Sequence, residues 1–281
     1  MLFEKDVFLG RGNSAMTISQ ISQQASDPAK KPAIGVLLVH GLNGTSSDFA
    51  GLEEFLQDHG MLTNNMLLPG HGVHVRELIS KGWSDWEKAV RQELQALKGR
   101  CDVVFLVGHS LGGALALHVA AHEEVAGVVS MCAPLYMHPW TELVVGLAKR
   151  VTPLLPSLGE DVHWHIRRRY KRDVYRWMPV ASVESMLRFL PQLRAELPRV
   201  TAPALVMTSI FDHVVPARDG REIYRLLGSK EKYLVTLHRS YHVIMKDHDR
   251  EEVFAKTAAF ITRYASKAGP RATFAPAEQT A

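Results

Sequence analysis

Two cysteines are all that the 281 residues contain. Cys101 and Cys132 lie in or beside apolar, strand-like stretches and lack metal-ligand spacing, so they read as small core residues in a reducing compartment. Excess charge is missing too: 33 basic and 29 acidic side chains leave a formal net charge of +4. That balance is too mild for nucleic-acid binding, which needs basic residues gathered on one face. No run reaches the ~18 apolar residues of a membrane span. The stretch Met1 to Asp6 carries acids early and no long apolar segment, which argues against a secretory signal and for a cytoplasmic address. The remainder, 46% hydrophobic and 22% charged, is the balance of a soluble globular protein whose length suits one large domain.

The apolar runs that are present are short and regularly spaced. Ile34–Val39 is continuously apolar, as expected of a strand buried on both faces. Met61–Leu68, Val103–Val107 and Val125–Met131 read as further strands. Helices fall between them. The first has apolar positions Phe49, Leu52, Phe55 and Leu56 behind an N-cap at Thr45, Ser46 or Ser47. The second starts at the capping-box spacing Ser84-Asp85-Trp86-Glu87 and runs to Leu97, and the third is the small-residue stretch after Gly112-Gly113. This alternation predicts an α/β fold with a mostly parallel central sheet and helices on both faces.

The rhythm breaks from Leu135 to Val200, where six prolines and the helical patches Thr141–Arg150 and Val183–Leu190 replace any comparable strand. An insertion of this length is not a bare loop; it reads as a helical cap over the C-terminal edge of the sheet. Strands resume at Ala204–Ser209 and Tyr233–Leu237, separated by a helix over Arg218–Leu227. A last helix has Phe254, Ala258, Ile261 and Tyr264 inward. The expected organisation is a core from 1–134 and 201–265, a cap at 135–200, and a disordered Ala/Pro/Lys-rich tail at 266–281. Ahead of the first strand, a short strand within Asp6–Gly12 and a polar loop over Ser19–Lys31 are expected.

The chemistry gathers at one turn. Val103 to Val107 leads into Gly108-His109-Ser110-Leu111-Gly112, the nucleophile-elbow spacing G-x-S-x-G between a buried strand and a helix. A serine on so sharp a turn stands clear of the sheet, and its neighbours must be small. Asp212 follows the strand Ala204–Ser209 and His242 follows the strand Tyr233–Leu237, so both belong at the sheet edge that carries Ser110. The chain order Ser, Asp, His is that of α/β hydrolases. His242 would take the Ser110 proton and Asp212 would orient and stabilise the imidazolium. The backbone N–H groups of Leu111 and Leu42 would bind the oxyanion, Leu42 from the turn His40-Gly41-Leu42-Asn43-Gly44 at the first strand's end. His40, His71 and His109 read as structural. Asp219, Asp247 and Asp249 are the rival acids and His248 the rival base. His163 and His165 find no third ligand at helical or strand spacing, so no metal site is expected. The basic run Arg167–Arg172 reads as a solvated helix face, with contact to anionic lipid or a partner as the alternative.

At these residues the chain resembles bacterial monoacylglycerol lipases and related carboxylesterases of the α/β-hydrolase superfamily. The resemblance covers Gly35 to Pro134 and Pro203 to Tyr264. It rests on His40-Gly41-Leu42 with Gly44, Pro69-Gly70-His71-Gly72, Arg100-Cys101-Asp102-Val103, Asp212-His213-Val214-Val215-Pro216 and Ser240-Tyr241-His242-Val243. It implies the α/β-hydrolase fold and the Ser110–His242–Asp212 triad, working without a cofactor on a small, lipid-like ester. Two departures stand out: His109 occupies the position where the family often has Leu, and Leu135 to Trp177 matches poorly, so no cap contact carries over. An apolar acyl group is suggested by Trp140, Leu143, Val144, Leu147, Leu154 and Leu155 in the cap, with weak peripheral membrane contact there. Acyl transfer, thioester chemistry and a non-catalytic binding protein remain open at this point.

Overall fold

Each buried apolar run becomes a strand of one sheet. The structure, a computed structural model, describes residues 33–157, 161–167 and 175–268. The strands are β1 (Ile34–Val39), β2 (Leu62–Met66), β3 (Val103–His109), β4 (Gly127–Met131), β7 (Ala204–Ser209) and β8 (Lys232–Leu237). They lie in the order β2-β1-β3-β4-β7-β8, every pair parallel. Parallel strands need crossovers, and helices supply them. α1 (Ala50–Asp58) leads from β1 to β2. α2 (Val75–Ile79) and α3 (Trp83–Lys98) lead to β3, α4 (Leu111–Ala120) joins β3 to β4, α8 (Ala217–Leu226) joins β7 to β8, and α9 (Arg250–Ala268) ends the fold.

Side chains alternate across β1 as the pleat requires. Leu37 and Val39 pack with α3 and α4 in one core, while Val36 and Leu38 pack with α1 and α9 in the other. The sheet is therefore covered on both faces, as the alternation of runs predicts. All ten residues of α4 are buried, which explains why its sequence is Ala- and Leu-rich rather than amphipathic.

Between β4 and β7 lie α5 (Pro139–Ala148), β5 (Leu154–Pro156), α6 (Trp164–Arg167), β6 (Trp177–Pro179) and α7 (Val180–Glu196). The expected helical cap is thus partly sheet: β5 and β6 pair antiparallel over three residues each. Runs so short leave no period-2 signature for a sequence reading to find. Two helix starts also differ from expectation. Asp85 accepts the Gly82 N–H (2.9 Å), so α3 begins at Trp83 with Gly82 as N-cap rather than Ser84. Thr45 caps a 3₁₀ turn, Ser46–Asp48, ahead of α1. The C-terminal helix continues to Ala268, past the expected start of the tail, and Lys267 pairs there with Glu231 at 3.0 Å. The Asp6–Gly12 and Ser19–Lys31 expectations, Arg168–Arg172 and the chain beyond Ala268 lie outside the described residues. Among the described residues no helix is long and apolar enough to cross a membrane.

Candidate active site

Ser110 sits between β3 and α4 at φ 53°, ψ −123°, a conformation that a non-glycine residue holds only when its surroundings impose it. The imposing contacts are visible. A Cβ on Gly112 would overlap the carbonyl oxygens of Val39 and His40, the latter at 2.5 Å, and one on Gly108 would stand 2.6 Å from the Gly113 nitrogen. The elbow closes because those two glycines let α4 press onto the end of β1. The Ser110 N–H donates to Met131 O (2.8 Å) on β4, which anchors the turn to the sheet.

Asp212 and His242 come together from loops past β7 and β8. Asp212 Oδ2 is 2.7 Å from His242 Nδ1, while Oδ1 accepts the N–H groups of Val214 (2.8 Å) and Val215 (2.7 Å). Burial alone would push the Asp212 carboxyl up, but the His242 ring and the Val215 and Val214 N–H groups outweigh it and hold it below the usual range. For His242 burial works downward; Asp212 foremost, with Asp161 and Asp48, reverses this and lifts the imidazole above its usual 6.5. The two shifts have opposite sign because each partner favours the charged form of the other.

Leu42 and Leu111 flank Ser110. A Cβ on Gly41 would stand 2.9 Å from Ser110 Cβ, so the β1–α1 turn passes beside Ser110. In that turn the Gly44 N–H is taken by Gly41 O (3.0 Å) and the Asn43 N–H by His71 Nε2 (3.4 Å). The Leu111 N–H opens α4, where first-turn donors have no partner inside the helix. His40, His71 and His109, read as structural in the sequence, are buried among backbone partners. His40 Nε2 accepts the Leu68 N–H (3.0 Å) while its Nδ1–H donates to Gly41 O (2.8 Å). Burial pushes His40 down to about 4 and His71 to about 3, so both rings stay neutral and hold the turn. His109 Nε2–H donates to the carbonyl of His242 (3.0 Å). The departure from Leu at this position thereby gives the His242 loop a direct brace.

Ser110, His109, His242, Gly41 and Leu42 line a cavity of about 290 Å³. Its apolar wall comes from Leu155 on β5, Met178 on β6, Val183 and Met186 on α7, and Met137, Val214 and Val215. Of the apolar cap residues singled out in the sequence, Leu155 is the one that lines it. Trp140, Leu143, Val144 and Leu147 instead face solvent, 59%, 65%, 44% and 55% exposed. Their i, i+3, i+4, i+7 spacing marks one face of α5, but periodicity cannot say which way a face points.

The rival acids do other work. Asp219 accepts the N–H groups of Leu135, Tyr136 and Met137 (2.8, 2.9 and 3.1 Å), and Asp249 accepts that of Arg239 (3.0 Å). Asp247 faces His163 Nδ1 (2.9 Å), and His248 packs on the same ring at 4.5 Å. No third ligand keeps local spacing with His163, but Asp247 and His248 reach it across 84 residues or more, where no local spacing can announce them. One residue at the site has no sequence signal at all. Asp161 accepts the backbone N–H groups of His213 (3.1 Å) and His242 (3.2 Å), and its own carbonyl accepts the Val243 N–H (3.1 Å). A residue of the β4–β7 insertion thus joins the two loops that carry Asp212 and His242. Cys132, at φ 48°, is buried against Asp212, and burial first, then that carboxylate, pushes its thiol well up.

Comparison with known proteins shows the family to which the chain belongs. A family model described as serine aminopeptidase, S33 (Hydrolase_4) matches residues 30–249. The thermostable monoacylglycerol lipase of Bacillus sp. (strain H-257) is 32% identical over 238 residues, 84% of this chain and 94% of that protein. The carboxylesterase of Bacillus subtilis (strain 168) is 25% identical, covering 81% of this chain and 92% of that protein. Among solved structures, one described for LipS and LipT, two metagenome-derived lipolytic enzymes, superposes with a TM-score of 0.77 at 32% identity, over 83% of this chain and 96% of that one. The all-parallel sheet, the elbow and these matches together place the chain in the α/β-hydrolase superfamily, where it belongs to the Hydrolase_4 (serine aminopeptidase, S33) family alongside monoacylglycerol lipases and carboxylesterases.

Proposed function

We propose that this protein is a serine-dependent carboxylic ester hydrolase acting on esters with an apolar acyl group, monoacylglycerols foremost. The observation that carries the reading is the 2.7 Å Asp212–His242 pair facing the cavity of the elbow serine. His242 Nε2 takes the Ser110 proton as Oγ attacks the ester carbonyl, and the negative oxygen settles toward the Leu42 and Leu111 N–H groups. Each such donor lowers the barrier by about 3 kcal/mol. The tetrahedral intermediate collapses, and the departing alkoxide takes the proton from His242 and leaves as the alcohol. Water, deprotonated by the same ring, then attacks the acyl-Ser110 ester, and the acid is released with Ser110 reprotonated.

The cavity wall supports the substrate class. Leu155, Met178, Val183 and Met186 offer apolar surface to an acyl chain, and the two methionines adapt to chains of different length. The named relatives, a monoacylglycerol lipase and a carboxylesterase, favour the same class. Peripheral membrane contact fits the solvent-facing stripe of α5, because an unpartnered apolar helix face seeks an interface.

The test is hydrolysis of p-nitrophenyl esters and of monoacylglycerols of increasing chain length by wild type and Ser110→Ala. The variant is expected to keep the wild-type circular dichroism and lose hydrolysis of every substrate. Full activity in the variant would sink the proposal, as would failure of a fluorophosphonate to label Ser110 in the wild type. Competing alcohols in the product analysis separate hydrolysis from acyl transfer.

A further inference from the structure

Three groups of potential metal ligands come together among the described residues. Cys132, Asp212 and His242 form part of the site above. In the second group, His163, Asp247 and His248, the carboxylate is already satisfied. Asp247 Oδ2 accepts the Tyr241 N–H (2.9 Å) and the His163 N–H (3.3 Å), Oδ1 accepts the His248 N–H (2.9 Å), and both oxygens face His163 Nδ1. That carboxylate is a bracket holding residue 163 to the loop after β8.

The third group is of another kind. His118 lies on α4 and His122 on the turn that ends it, four residues apart and so on one face, with ring centroids 5.0 Å apart. This is the spacing by which two helical histidines share a metal ion. Glu196, the last residue of α7, brings its carboxylate to both: Oε2 stands 2.5 Å from His118 Nδ1 and Oε1 3.2 Å from His122 Nε2. Its partners are side chains, including Gln192 Nε2 at 3.0 Å. In a tetrahedral site with ~2.0–2.1 Å bonds to nitrogen and oxygen, ligand atoms stand about 3.4 Å apart. The two Glu196 contacts are within about 1 Å of that separation, and the three ligand atoms lie within 4.8 Å of one another.

Further features suit a cation. The His118 ring is held edge-on to Trp83 and Phe189, at 5.8 and 5.4 Å between centroids, which limits its rotation. Around the group, three carboxylates, Glu87, Glu123 and Glu196, share the network with two fixed cations, Arg91 and Lys98. Glu87 Oε1 lies 3.8 Å from His118 Nε2, the ring nitrogen that does not face Glu196. His122 is part-exposed and opens the group to solvent.

We propose that His118, His122 and Glu196 bind one dication of the Zn²⁺ class, the borderline metal that a His₂Glu set favours. The bound ion ties together two helices that serve the active site from elsewhere along their length. α4 carries Ser110 at its N-terminus, about 12 Å from His118 along the helix, and α7 supplies Val183 and Met186 to the cavity. The site is a clamp on the scaffold and lies outside the triad.

The test uses the full chain, stripped by dialysis against EDTA and titrated calorimetrically with ZnCl₂, with Tm recorded with and without metal. One equivalent is expected to bind at micromolar free metal and to raise Tm by about 5 °C at a hundredfold excess over Kd. His122→Ala and Glu196→Gln are each expected to weaken binding at least about tenfold. His122→Ala, at a part-exposed position, keeps the wild-type fold and leaves p-nitrophenyl ester kcat/KM within twofold. His163→Ala is expected to bind as wild type. Co²⁺ in place of zinc should show the visible absorption of a tetrahedral centre. No binding by the stripped protein, binding unchanged in His122→Ala, or loss of binding in His163→Ala instead would each overturn the proposal.

Discussion

Replacing Asp212 with Asn removes one charge and almost no volume, and the surrounding donors dictate how the new amide must sit. Asp212 Oδ1 accepts two backbone N–H groups, from Val214 and Val215, while Oδ2 faces His242 Nδ1 at 2.7 Å. An amide has one accepting end and one donating end. Turned with its oxygen to the backbone, Asn presents NH₂ to His242 Nδ1, which must then accept. The ring proton moves to Nε2, and that nitrogen can no longer take a proton from Ser110. Turned the other way, NH₂ meets two N–H donors in a buried site, at about 1–3 kcal/mol for each donor left unmet. The first orientation wins by that margin, and the ring is held in the wrong tautomer. The expected loss in kcat is about 10⁴-fold, or ~5.5 kcal/mol of barrier.

A second readout comes from charge. Burial depresses the His242 pKa and Asp212 does most to raise it above 6.5. The base acts only when neutral, so wild-type kcat/KM rises with pH through that raised value. Without the carboxylate the acid limb moves to lower pH. The assay is p-nitrophenyl ester hydrolysis across the acid-to-neutral range, with Tm as the check on folding. A variant within tenfold of wild type, or an acid limb that stays in place, would refute the reasoning.

Three other outcomes follow from named contacts. Gly112→Ala drives a methyl into the Val39 and His40 carbonyls; about 3 kcal/mol or more of stability should be lost, read as a fall in urea midpoint along with activity, and wild-type stability would contradict the account of the elbow. Asp161→Ala leaves the His213 and His242 N–H groups without their acceptor, at about 1–3 kcal/mol each; kcat should fall about tenfold or more with KM for small esters little changed, and Asp161→Asn, which keeps an acceptor, should recover part of it. Leu143→Ser with Leu147→Ser removes apolar surface that faces solvent on α5; vesicle flotation and hydrolysis of aggregated monoacylglycerol should weaken about tenfold or more, while soluble p-nitrophenyl esters are turned over as before.

What the sequence by itself determined is what neighbours along the chain encode. A continuous run such as Ile34–Val39 has no polar side chain to turn toward water, so it must be covered on both faces, and it is. Gly108 and Gly112 are legible because a turn this tight tolerates no Cβ there. Asp212 and His242 are legible because parallel strands joined by crossovers all point the same way, so residues just past each strand share one edge. The tertiary structure alone decided the rest. Which face of α5 turns outward depends on what packs beneath it. The placement of Asp161 between the loops of Asp212 and His242, and of Glu196 beside His118 and His122, pairs residues 52 or more positions apart. Such pairs leave no period or motif behind, because the force that selects them is the packing of whole helices and loops against the sheet, and that packing exists only once the chain has folded.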